Sequence, residues 1–125
     1  MHDQPSVSEL VQAVKNFIDE TAGPNLTGHA AFHARVASNA LATVLRDLEM
    51  RPEQEAAETK RLAALLNTDA DAADLASLNA RLSERIRSGD LTADTPGLLE
   101  HLKATTIAQV EIDQPRYSGL KTAKS

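Results

Sequence analysis

Apolar residues recur along this chain three and four positions apart, in stretches separated by short segments of Gly, Pro, Asn, Asp and Ser. That period belongs to amphipathic helices and not to strands. Ser6 stands as an N-cap with Glu9 three residues on, a capping box, and Val7, Leu10, Val11, Val14 and Ile18 follow at helical spacing until Gly23-Pro24. A second helix is predicted from Thr27 or Gly28 to Glu49, ended by Arg51-Pro52. Pro52 can also open a third helix, with Glu53 and Glu55 at its positive end and Leu62, Ala63, Leu65 and Leu66 as its apolar side. The run Asn67-Thr68-Asp69-Ala70-Asp71 reads as a turn capping a fourth helix, whose narrow stripe is Leu75, Leu78, Leu82 and Ile86. Ser88-Gly89-Asp90 ends it. Thr95-Pro96-Gly97 opens a fifth, with proline at the first helical position, running to about Ile112 before Pro115. Arg116 to Ser125 reads as a strap that becomes a loose end.

The pattern predicts an all-α fold: a compact antiparallel bundle of about five helices, one domain over 1–125 with a loosely ordered tail from about 116. Composition agrees. Hydrophobic residues make up 42% of 125, dominated by alanine and leucine, while the aromatics are Phe17, Phe32 and Tyr117 alone. Alanine and leucine favour helix, and β-branched and aromatic residues favour strand.

Charge narrows the function classes. Eighteen acidic against thirteen basic residues give −5, which argues against a general nucleic-acid or anionic-membrane surface. With no cysteine, disulfides, thiol nucleophiles and thiolate metal sites are excluded. No apolar run approaches the roughly 20 residues of a membrane span, and Met1 to Pro5 shows no signal-peptide pattern. The expectation is a cytoplasmic protein without nucleic-acid or membrane partners.

Two histidines are the first chemical anomaly. On a helical wheel of about 100° per residue, Phe32, Val36, Ala40, Leu41, Val44 and Leu48 spread over an arc wide enough for a central helix touching neighbours on two sides. His29 and His33 fall inside that arc, four residues apart. Such a pair can share a metal ion, but no further ligands complete a set: there is no His-Glu-x-x-His pattern, and His101 and Asp113 would join only through tertiary folding. The expectation is no metal and no cofactor, with His29 helping to cap the helix and His33 hydrogen-bonded in the core.

The fifth helix carries the second anomaly. Its apolar arc of Leu98, Leu99, Leu102 and Val110 also holds Thr106, Gln109 and Asp113. If this face meets the second helix, His33 and Asp113 would form a buried network that could act as a general base in an inter-helix pocket. The plainer alternative makes Asp113 a cap before Pro115. Arg35, Asn39 and Arg46 form a polar stripe suited to a carboxylate or phosphate, or to solvent and nearby acids. Arg81, Arg85 and Arg87, with Glu84 among them, read as a solvated face. The leucine stripe of the fourth helix reads as core, or as the seam of a homodimer.

Two segments, Phe32-His33-Ala34-Arg35-Val36-Ala37-Ser38-Asn39-Ala40-Leu41 and Asp113-Gln114-Pro115-Arg116-Tyr117, with Arg-Leu-x-x-Leu-Leu at 61–66, resemble a bacterial family of small all-helical proteins of unknown function. The resemblance implies an accessory protein encoded beside aminoglycoside-phosphotransferase-like kinases and acyl-CoA dehydrogenases, and it brings no catalytic residues with it. No complete catalytic motif stands in the chain. The expected function is therefore a non-catalytic accessory or interaction module, binding such a kinase or dehydrogenase through Arg35, Asn39 and Arg46 with Arg116 and Tyr117 beside them. The alternative is a small enzyme or ligand-binding protein using His33 with Asp113 or His29.

Overall fold

The structure, a computed structural model, describes residues 4–125. The leader reading at the N-terminus rests partly on Met1–Asp3, outside the described residues. Five α-helices are present and no strand among the described residues: α1 (Val7–Phe17), α2 (Gly28–Leu65), α3 (Leu75–Arg87), α4 (Leu98–Asp113) and α5 (Ser118–Lys124). The fold is all-α. None of these helices is long and apolar enough to cross a membrane.

Two boundaries differ from the sequence reading. Pro52 does not end a helix; α2 continues through it for 38 residues. Proline removes one backbone donor and crowds the carbonyl four residues back, but its fixed φ is helical. Strong helix formers stand on both sides, and an Arg51–Asp47 ion pair of 2.7 Å clamps the turn before it. The second difference is at the C-terminus. The segment read as a strap carries α5, tied to α4 by Lys124 and Glu111 at 3.1 Å.

Local signals set the other ends. At α1 the capping box forms as the sequence indicates, the Ser6 hydroxyl accepting from the Glu9 N–H while Glu9 accepts from the Ser6 N–H. A π turn over Ile18–Ala22 and a 3₁₀ turn over Gly23–Asn25 then lead toward α2. Gly23 is required there, because a Cβ would lie 2.8 Å from the Ile18 carbonyl oxygen. At the end of α2, Asn67 takes φ 55°, with Asn67 N–H bonded to Ala64 O and Thr68 N–H to Ala63 O. These are the two bonds of a Schellman motif. Asp74, not the 67–71 turn, caps α3 by accepting from the Ser77 N–H. Gly97, with φ 90°, precedes α4, so the helix starts after Pro96 and not at it.

The chain divides into two compact units, Met1–Arg51 and Pro52–Ser125, with the boundary inside α2. The second unit owns the apolar core: Leu62, Leu66, Leu78, Leu82, Leu91 and Leu98, with Leu65, Ala73 and Leu75 packed against it. Leu78 and Leu82, half of the stripe read as a dimer seam, are spent inside this core.

The first unit is built differently. Along α2 its partly or fully buried line is Ala31, Ala34, Ser38, Leu41, Ala42 and Leu45, and along α1 it is Val11, Lys15 and Ile18. Ser38 donates to Asp19 at 2.5 Å, joining the beginning of α2 to the turn that follows α1. No apolar side chain among the described residues of this unit is buried.

Candidate functional site

In the first unit, the wide arc read as the inside of a central helix stays open. Phe32, Val36, Val44 and Leu48 are all substantially exposed, as are His29 and His33. The correction has a physical cause. The face that meets the α1 segment is the alanine-rich one, where small side chains permit close approach, and no other part of this unit is available to cover the larger side chains. His33 is not a core histidine. Its ring meets Phe32 edge-on at 5.5 Å between centroids. His29 is likewise exposed.

The polar stripe divides by environment. The Arg35 guanidinium lies 5.9 Å from the Phe32 ring centroid, a cation–π contact. Asn39 is exposed, and its backbone carbonyl accepts from the Thr43 hydroxyl. Arg46 donates to that same hydroxyl at 3.1 Å. A groove of about 250 Å³ runs between Ile18, Asp19, Gly23 and Pro24 on one side and Ala31, Ala34 and Arg35 on the other. It holds neither histidine, and it is smaller than the roughly 300–1,000 Å³ of ordinary ligand sites. Asp19 is its acidic wall. Hydrogen bonds from Lys15 and then Ser38 hold that carboxyl below the usual carboxylate range.

In the second unit, Asp113 is exposed and accepts from Gln109 Nε2 at 2.9 Å. Thr106 is exposed and bonds back to the Leu102 carbonyl. The arc of α4 read as apolar is covered only in part: Leu98 is buried and Val110 half-buried, Leu99 and Leu102 are open, and His101 and Ile112 are covered beside them. Arg116 and Tyr117 are exposed on the turn before α5, lining an open groove of about 480 Å³ with Lys121 and Lys124. Arg85 pairs with Asp90 and Arg87 with Glu84 at the surface, in keeping with a solvated face.

The polar chemistry that sequence reasoning missed lies where α2 meets α4 within the second unit. Gln54 donates to the Ala108 carbonyl at 3.0 Å, and Arg61 Nη2 donates to the Thr105 hydroxyl at 3.3 Å. His101 is 4% exposed with no partner on Nδ1, and Arg61 Nε and Gln54 Oε1 are similarly buried without one. Loss of water, then the Arg61 charge, lowers the His101 pKa, against an opposing pull from Glu58. A signal was present in the sequence: Leu98, His101, Thr105, Ala108 and Ile112 repeat at alternating steps of three and four, and so do Gln54, Glu58, Arg61 and Leu65. Among the described residues no three of His, Asp or Glu gather as a metal set.

Residues 24–117 match the family described as domain of unknown function DUF6285, and the chain belongs to that family. The match begins after α1, so the first helix lies outside it. No curated protein and no solved structure matches the chain.

Proposed function

We propose that the chain is a non-catalytic accessory module that works by binding other polypeptides, with the first unit as its working part. The observation that supports this reading is the make-up of that unit. Eight large apolar side chains on α1 and the first half of α2 remain between 37% and 59% exposed, while no apolar residue there is buried. Soluble monomers keep contiguous apolar patches small, and larger ones mark interaction sites. Beside the apolar arc runs the Arg35, Asn39 and Arg46 stripe, whose side chains suit carboxylates on a partner. Arg116 and Tyr117, exposed in the second unit, are a separate pair of contact residues.

The family resemblance of the sequence points to a bacterial setting and to a phosphotransferase-like kinase or an acyl-CoA dehydrogenase as the partner. The test is a calorimetric titration of the purified chain with each of these two enzymes from the same genome. Binding at micromolar or tighter Kd to one of them is expected, with Arg35→Ala or Tyr117→Ala weakening it about tenfold, or about 1.4 kcal/mol, while helicity stays unchanged. Absence of heat with both enzymes, or full affinity in both variants, would contradict this assignment.

A further inference from the structure

We infer that the apolar stripes of the first unit are the self-association surface of this chain, and that their occupant is a second copy of it. The inference rests on reading the first unit as an interaction module, and it names what covers the apolar part.

On α1 the exposed apolar residues are Val7, Leu10, Val14 and Phe17. Their steps of three, four and three make the a/d seam of a helix–helix contact. On α2 the exposed row is Phe32, Val36, Val44 and Leu48, with Ala40 filling the gap. A rise of 1.5 Å per residue gives the α1 stripe a length of about 15 Å and the α2 row from Phe32 to Leu48 about 24 Å. Each copy thus carries two unpartnered stripes, and the α2 row is long enough to take the whole α1 stripe. A two-fold axis places the α1 stripe of each copy on the α2 row of the other, the reciprocal contact of an isologous interface.

Area and charge favour the same occupant. Eight side chains, each about half exposed, offer on the order of 700 Å² of apolar surface, close to the roughly 800 Å² per partner of an ordinary specific interface. The residues flanking the α1 seam are Val11 and Ile18 on one side and Ser6 and Ala13 on the other. Within α1 none carries a charge, and Glu20, the next position on the Ser6 and Ala13 side, is the one acid at that edge. A lipid surface is a poorer fit. Interfacial helices surround their apolar face with Lys and Arg, whereas α1 offers Lys15 alone and pairs it with Asp19 at 2.7 Å. By helical periodicity Val36, Val44 and Leu48 lie away from Arg35, Asn39 and Arg46, while Phe32 borders that polar stripe and takes Arg35 on its ring. His29 and His33 stand within the α2 row, which places both imidazoles at the contact.

The test is sedimentation equilibrium of the full chain, alone, across a concentration series. The expected result is a dimer in the micromolar range. Val14→Asp and Val36→Asp each put a charge into the contact and weaken dimerisation by about a hundredfold or more. Both positions are open in the single chain, so helical content by circular dichroism should persist. Ile86→Asp, at the exposed end of the α3 stripe, should leave the dimer intact. A wild-type chain that stays monomeric throughout overturns the inference, and so does a dimer that survives both stripe variants or is broken by Ile86→Asp. The enzyme titration with Tyr117→Ala reads a residue outside both stripes and a different complex, so failure of one proposal is distinguishable from failure of the other.

Discussion

His101 is buried beside Arg61, and its imidazole is held below the ordinary histidine pKa first by loss of water and then by the guanidinium. The sign of the stability effect follows. In the unfolded chain the ring takes a proton near its ordinary pKa of about 6.5, while in the folded chain it resists protonation to lower pH. Its contribution to stability is complete above the unfolded value and is lost as pH falls through the folded one. Urea unfolding of the wild type should weaken from neutral pH downward more steeply than that of His101→Gln. Parallel pH profiles for the two proteins would remove His101 as the cause.

The leucine core sets a contrast between the units. Leu82 is buried, and Leu82→Ala should destabilise by about 2–5 kcal/mol. Leu41, in the arc that the sequence assigns to a central helix, is only partly buried. Its replacement by alanine should cost about 1 kcal/mol. Equal losses in denaturant melts would show that the first unit has a core comparable with the second.

Asn67 holds the left-handed position that closes α2. Asn67→Gly should be neutral or slightly stabilising, and Asn67→Val should lose about 1–2 kcal/mol, since a β-branched side chain is strained there. Thermal unfolding of the two variants orders them. A valine variant as stable as wild type would deny that conformation.

Pro52 interrupts the backbone bonding of α2 while remaining helical. Pro52→Ala should restore a donor to the Leu48 carbonyl and raise stability by about 1–3 kcal/mol. A lower melting temperature in the alanine variant would mean that the break itself is used.

Much of the secondary structure was legible from the sequence because its determinants are local. The Ser6 and Glu9 box, the Gly89 stop and the leucine stripe of α3 are each written within a few residues. Pro52 misled for a tertiary reason: proline disfavours a helix interior, and only the helix formers around it and the Arg51–Asp47 clamp decide that α2 continues. The surface residues were harder. An apolar arc reads the same whether another part of the chain covers it or nothing does, so the pattern alone places Phe32, Val36 and His33 in the core. On α4, Thr106 and Asp113 drew attention because they interrupt an apolar arc, while the burial of His101 depends on α2 lying against it. Burial is a property of the packed pair, and neither helix states it alone.

The most direct measurement of the central claim is hydrogen–deuterium exchange of the full chain at low and high protein concentration. The account expects amides of α1 and of the Phe32–Leu48 stretch to gain protection as concentration rises, while α5 exchanges at one rate throughout. Protection of α1 that does not change with concentration would contradict the assignment of the first unit as the surface where two copies meet.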